Sequence, residues 1–308
     1  SEEEDQLYEV RGSEKIFRTE HQITTLLEKV NLPVNARVLD YGCGKASTLK
    51  GLCGRRDDVV PFVFDVGEQY RPFWNDFVPT ANQAISEVPV RWAGQMDAVL
   101  SFFALEHVTD PRAFVCAVHG LLKEGGTFYF LVPNIFANTA DLVVADHVNH
   151  FSAQSLQRLL VDAGFIVREI NSEAHNSAWV VVAEKGEGVG VDADTESISQ
   201  SVHEMVAYWN EFGDRVSAFE KAGSGAAAIY GSGFYGTFIH ASLEQPEAVV
   251  CFLDQNPHRQ QQVLLGKPIV SPEALPETVQ RLYVGLNPRV AQTELAAEPL
   301  PELEMFLP

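Results

Sequence analysis

Basic residues are scarce in this chain: 22 Lys+Arg stand against 42 Asp+Glu, a formal charge of −20 over 308 residues. Such a chain repels a phosphate backbone or an anionic bilayer instead of neutralising it, so neither nucleic acid nor membrane is an expected partner. Cysteine is equally sparse. Cys43, Cys53, Cys116 and Cys251 form no C-x-x-C pair, which argues against a structural zinc site, and no metal is assigned. No apolar run approaches the ~20 residues that span a bilayer, and the opening SEEEDQLYEV is the opposite of a basic leader. What is present is an ordinary folded composition, 46% apolar and 21% charged, in a length that suggests two domains. The expectation is a reduced, cytoplasmic, two-domain protein.

Apolar spacing predicts an amphipathic helix over 13–30, then strands at Val38-Leu39, Val59–Asp65, Asp97–Ser101 and Thr127–Val132. Helical patterns around Ser47–Leu52 and Pro111–Leu122 separate them, the second with proline in its first turn. That alternation implies a parallel sheet covered on both faces. A helix over Leu156–Ala163 and strands at Phe165–Ile170 and Trp179–Ala183 complete the first domain. The Gly- and Asp-rich stretch 185–197 reads as a linker, followed by one long helix to Ala222. A second α/β unit starts with strand Ala227–Tyr230, and EPLPELEMFLP at the end reads as irregular. The expected architecture is α/β: a Rossmann-like sheet over 1–184, a linker and connecting helix over 185–224, and a smaller Rossmann-like unit over 225–308.

In VLDYGCGKAS, Asp40 precedes the strand-to-helix turn of Gly42 and Gly44, where a missing Cβ lets backbone approach a ligand. The dinucleotide pattern G-x-G-x-x-G fails at its third position, Ser47, which weakens a pyrophosphate reading. Asp65 ends the next strand, where a carboxylate can accept hydrogen bonds from both ribose hydroxyls. An acid ahead of the glycines suits a ligand with a cationic amino-acid portion.

VLDYGCGKAS, FDV, DAVLSFFALEHVTDP and LLKEGGTFYFLVPN, in that order, resemble the class I S-adenosylmethionine-dependent methyltransferases over roughly residues 30–185. The resemblance implies S-adenosylmethionine as cofactor. It implies that Asp40, Gly42, Cys43 and Gly44 line its methionine and ribose end, that Asp65 holds the ribose, and that Ser101 and Phe102 cover the sulfonium. Ala46 stands where that family often has a third glycine.

Methyl transfer requires the acceptor to be held in line with the methyl group and, for a hydroxyl or carbon acid, a base. Asp146, His147 and His150 form the densest cluster of suitable groups, with Asp146 the expected partner of His147. His175 is placed to reach the same sheet end as a substrate-binding residue. For Glu106-His107 two readings stay open, an anchor for the turn after the fourth strand or a catalytic pair. The stretches DHVNHFSAQSLQRLLVDAGF and EAHNSAWVVVAEK are similar to a narrower group, the sugar C-methyltransferases acting on nucleotide-linked keto-sugars. Asp146 and His147 match that group's acid–histidine pair, and 225–290 matches the layout of its C-terminal Rossmann-like domain. Val144 replaces its tyrosine, and its N-terminal zinc domain has no counterpart here.

The second unit carries a complete G-x-G-x-x-G, Gly231, Gly233 and Gly236, with Asp254 about 18 residues later at a strand end. Read alone, it fits NAD. A nucleotide-sugar diphosphate or a purely structural turn are the preferred readings, because no complete six-strand sheet is visible in the sequence. The expected function is methyl transfer from S-adenosylmethionine to carbon or oxygen of a sugar or nucleotide-sugar in the interdomain cleft. The rivals are a small-molecule O- or N-methyltransferase of secondary metabolism, and a nucleotide- or NAD-binding protein with an inactive methyltransferase domain.

Overall fold

The computed structural model describes residues 5–11, 14–189, 195–297 and 303–308. The chain divides into two compact units, residues 5–137 with 141–195, and residues 138–140 with 196–308.

In the first unit a small hairpin, β1 (Leu7–Arg11) and β2 (Glu14–Phe17), leads into α1 (Arg18–Lys29). The expected helix over 13–30 therefore begins late. Ile16 and Phe17 are adjacent, and adjacent residues face opposite sides of a strand more readily than one side of a helix. The main elements are β3 (Arg37–Tyr41), α2 (Ser47–Arg55), β4 (Val60–Asp65), α3 (Arg71–Trp74), β5 (Gln83–Ile85), β6 (Met96–Phe102), α4 (Pro111–Leu121), β7 (Leu122–Pro133), α5 (Ala153–Asp162), β8 (Phe165–Asn171) and β9 (Ala178–Lys185). Seven strands pair in the order β5-β4-β3-β6-β7-β9-β8. The first five run parallel, and β9 is antiparallel to both β7 and β8.

Period-two alternation distributes the core to both faces of that sheet. Leu39, Phe62, Val99, Phe128 and Phe130 point toward α4 and α5, packing with Val115, Val118, Leu156 and Leu160. Val38, Val63, Ala98, Leu100 and Tyr129 point the other way, toward α1 and α2, packing with Ile23, Leu26, Leu49 and Leu52. The carboxyl ends of β3, β4, β6 and β7 lie at one edge. Because β9 is antiparallel, the loop before it returns to that same edge.

The second unit contains α6 (Thr195–Ala222), β10 (Ala226–Tyr230), α7 (Phe234–Ser242), β11 (Val249–Leu253), β12 (Val263–Leu264), β13 (Lys267–Val270), β14 (Val279–Val284), α8 (Pro288–Ala297) and β15 (Glu304–Phe306). Its sheet has six strands, ordered β12-β13-β11-β10-β14-β15, which corrects the expectation of an incomplete sheet. Of these strands the sequence reading holds only β10 and β11, and it takes the segment that forms β15 as irregular. That segment pairs parallel with β14, and Phe306 is buried against Phe212 and Tyr283, so burial overrides the prolines around it. Residues 190–194 of the expected linker lie outside the described residues. Among the described residues, no helix is long and apolar enough to cross a membrane.

Candidate active site

The first glycine turn sits at the carboxyl end of β3. Gly42 and Cys43 donate their backbone N–H groups to the Phe64 carbonyl at 2.9 and 3.1 Å, tying the turn to β4. Gly42 and Gly44 have φ of +76° and +50°, both left-handed. A Cβ on Gly42 would stand 2.8 Å from the Ala104 Cβ, whereas one on Gly44 would meet nothing within 4 Å. Gly44 therefore faces open space, and the turn has one packed side and one accessible side. Asp65 accepts from the Gly44 N–H through Oδ2 and from the Gly67 N–H through Oδ1, both at 2.8 Å. Asp40 is buried with Oδ1 lacking any hydrogen-bond partner. Burial, then the neighbouring Asp65, pushes its carboxyl up to about 8. The Cys43 thiol is pushed up as well, by burial first and then by Asp40 and Asp65, so it stays a neutral thiol and no nucleophile. Ser101 is buried and its hydroxyl donates to the Tyr41 carbonyl at 2.9 Å. That bond links β6 to β3 at the carboxyl end of the two strands. Phe102 is half-buried beside the Tyr129 ring.

A histidine cluster lies a few residues on, after β6. A short helical turn, Leu105–His107, holds Glu106, and the Glu106 carbonyl accepts from the N–H groups of Val148 and Asn149 at 3.0 and 3.1 Å. Those bonds bring the 146–150 loop onto the turn. Asp141 is buried and places one carboxylate oxygen on each of two imidazoles: Oδ1 on His147 Nδ1, and Oδ2 on His150 Nδ1 at 3.1 Å. Asp146 is exposed and its carboxylate stands 3.6 Å from His107 instead. The expected Asp146–His147 partnership is therefore corrected to Asp141–His147; side chains adjacent in sequence diverge here, and the acid six residues earlier reaches the ring. Nothing in sequence spacing marks Asp141, since a 3.6 or 2.0 period does not connect 141 with 147 and 150. Glu106, which the sequence left open, is 1% exposed with neither carboxylate oxygen hydrogen-bonded. Burial, and more weakly Asp141 and Asp146, push its carboxyl up to about 8, with its own nearby backbone N–H pulling the other way.

His175 lies in the β8–β9 loop at the same sheet edge, buried among the rings of Tyr8, His21 and Phe103. Its Nδ1 is 2.9 Å from the Asn176 carbonyl, which can only accept, so the proton is on Nδ1 and Nε2 is a lone-pair acceptor without a partner. Burial holds this imidazole down to about 4, hence neutral. Tyr8 stacks on His21 at 3.7 Å, a contact the sequence did not signal because β1 and α1 are joined only through the fold.

A family profile described as a methyltransferase domain matches residues 14–170, half of the chain. The chain belongs to that methyltransferase family. It is 29% identical over 161 residues to a ubiquinone biosynthesis O-methyltransferase of Xanthomonas campestris pv. campestris, covering 51% of this chain and 64% of that enzyme. Against the same-named enzyme of Acinetobacter baumannii it is 30% identical over 131 residues, covering 38% and 54%. The chain thus matches less than two thirds of the length of these curated relatives. Among solved structures, the putative methyltransferase complexed with the Trm112 activator of Haloferax volcanii matches with a TM-score of 0.47 at 17% identity, covering 55% of this chain and 91% of that one.

S-adenosylmethionine is the methyl donor that the sequence motifs imply for a domain of this methyltransferase family. The residues present fit that group: the buried, unpartnered Asp40 oxygen, the open face at Gly44 and the Asp65 carboxylate together offer what a cationic amino acid and a ribose require. The second glycine turn lies outside the methyltransferase domain, between β10 and α7. A Cβ on Gly236 would come within 2.0 Å of the Gly231 carbonyl, so its absence is required for the helix to pack, while Gly233 faces open space. Asp254 directly follows β11 and closes on Ser232, accepting from its N–H at 3.2 Å and from its hydroxyl. Arg259 donates to the Ser232 carbonyl at 2.8 Å.

Proposed function

We propose that this methyltransferase moves a methyl group from S-adenosylmethionine to oxygen or carbon of a small hydroxylated or keto acceptor, a sugar or nucleotide-sugar. Bound S-adenosylmethionine supplies a methyl group on a positively charged sulfur. Asp40 and Asp65 would hold its cationic and ribose portions, and Phe102 would exclude water beside the reacting centre. The observation that carries the reading is Asp141, whose two oxygens hold His147 and His150 as an oriented imidazole pair. Such a pair can take the proton that an acceptor hydroxyl or carbon acid must lose, worth typically ~10²–10⁴-fold. His175 Nε2 would accept a hydrogen bond from the acceptor. The second glycine turn, with Gly231, Gly233 and Asp254 near a helix start, supports an acceptor that carries a nucleotide diphosphate.

A second reading follows from the relatives' names: O-methylation of a small phenolic acceptor, with the second unit playing no part in acceptor binding. Incubation with isotope-labelled S-adenosylmethionine against nucleotide-linked keto-sugars, free sugars and phenols separates the two by product mass. The His147→Ala and His150→Ala variants are expected to lose at least tenfold in kcat while calorimetric affinity for S-adenosylmethionine holds. Absent affinity for S-adenosylmethionine, with thermal stabilisation by NAD, would replace this reading with that of a nucleotide-binding protein.

A further inference from the structure

Both imidazoles nearest Glu106 have the same ring nitrogen engaged. His107 Nδ1 is 2.9 Å from the Asp146 carbonyl, so Nδ1 carries the proton and Nε2 keeps its lone pair. His147 Nδ1 is held by Asp141, leaving Nε2 in the same condition. His107 Nε2 stands 3.9 Å from Glu106 Oε1, and the two rings meet edge to face at 4.8 Å. One donor atom from each of Glu106, His107 and His147 lies within 4.8 Å of the other two. Between them is a carboxylate with no hydrogen bond to either oxygen, in a side chain 1% exposed. An unpaired buried carboxylate is costly, and native proteins relieve that cost with a hydrogen bond, a cation or a metal.

We infer that Glu106, His107 and His147 form a binding site for one divalent transition-metal ion of the zinc type. Two imidazoles and one carboxylate are a borderline donor set that favours such ions over magnesium or calcium, which prefer oxygen alone. Bonds of ~2.0–2.2 Å put donors roughly 3.4 Å apart, so the observed spacing closes with side-chain adjustments of about 1 Å. The arrangement behind the donors is the one metal-bound histidines use: each ring's far nitrogen is fixed, His107 by a backbone carbonyl and His147 by the Asp141 carboxylate. Three protein donors leave a coordination position open, and His107 is exposed, so an acceptor oxygen can reach the ion from solvent. The cluster is next to the donor turn in the chain, since Ala104, against which Gly42 packs, lies two residues before Glu106. The inference deepens the proposed methyl transfer and rests on it for the ion's purpose: the ion holds the acceptor oxygen, and the proton passes to His150, the other imidazole on Asp141.

Chelator-stripped protein titrated with Zn²⁺ alone by calorimetry, and with Co²⁺ followed by visible absorption, tests the site without any turnover. One ion per chain is expected, with Co²⁺ bands of mixed nitrogen and oxygen coordination. Glu106→Gln and His107→Ala should each weaken Zn²⁺ binding at least tenfold, and Asp141→Asn by roughly 10–100-fold. His107 is an exposed side chain, so its variant decides the matter if Glu106→Gln fails to fold. No binding, or binding equal in wild type and His107→Ala, overturns the site; the second result assigns the ion to another surface histidine. Affinity for S-adenosylmethionine, measured on the same samples, separates the two proposals. Retained affinity without an ion defeats only the metal site, and an ion without that affinity defeats only the methyl-transfer reading.

Discussion

Gly42 and Gly44 share a left-handed backbone yet are required for different reasons. At Gly42 a methyl group would collide with the Ala104 side chain at 2.8 Å. Gly42→Ala therefore adds overpacking to backbone strain, and should cost at least ~2 kcal/mol in denaturant unfolding. At Gly44 a methyl group meets nothing, and Ala46 two residues on already tolerates φ of +55°. Gly44→Ala should cost only about 1 kcal/mol of stability but weaken S-adenosylmethionine binding at least tenfold, because the new methyl projects into the ligand's space. Equal loss of affinity in both variants, scaled to their stability, would remove Gly44 from the binding surface. Both glycines were legible in the sequence as a turn, since the strand, the acid and the helix start surround them. Asp141 was not. The reading paired His147 with the nearest acid along the chain, whereas a short helical turn at Thr139–Val143 and the Val148 and Asn149 bonds to Glu106 bring a more distant one. Tyr8, His21 and His175 likewise become neighbours only through tertiary structure.

At the level of elements, the histidine loop is bounded by the start of α5, which lies at Ala153 and not at the Leu156 where the sequence reading begins the helix. Ser152 caps α5, accepting from the Ser155 N–H at 3.1 Å, while the Ser155 hydroxyl accepts from the Ser152 N–H at 2.9 Å. The reciprocal pair fixes where α5 begins and hence where His150 and Phe151 end the loop; the Trp179 indole N–H holds the Phe151 carbonyl at 3.1 Å from the other side. Ser152→Ala should lower stability by about 1 kcal/mol. His150 should keep its place through Asp141, so affinity for S-adenosylmethionine should not change; a loss above ~2 kcal/mol would show that the cap supports more than one helix end. The strands that were readable are apolar runs, several of them ending at glycine or acid. Those not read are β1, β2, β5 and β12 to β15; among them β5 and β15 are short edge strands that pair with strands well removed in sequence, Phe64 with Ala84 and Arg281 with Glu304. Residue spacing carries no record of such partners.

For the molecule as a whole, most of the 42 acidic side chains help solubility and contribute little to the fold. Asp40 differs, being fully withdrawn from water beside a second carboxylate. Its carboxyl, ordinarily ionising near 3.8, is pushed up to about 8 by burial and then by Asp65. The folded chain consequently keeps a proton that the unfolded chain has released, and folding is favoured most strongly while both states hold it. That contribution is complete below the unfolded value near 3.8 and is lost as pH rises toward 8. A tenfold difference in proton affinity between the two states is worth about 1.4 kcal/mol, an effect that unfolding measurements resolve. Asp40→Asn removes this titration while keeping the shape. The stability of the variant minus that of the wild type, from urea unfolding in the absence of S-adenosylmethionine, should therefore increase with pH between 4 and 8 by at least about 1.4 kcal/mol. Using the difference cancels the remaining acids and histidines, including His175, whose depressed value acts in the opposite direction. A flat difference across that range would mean that Asp40 is ionised in the folded protein at neutral pH, with a cation or donor beside its Oδ1.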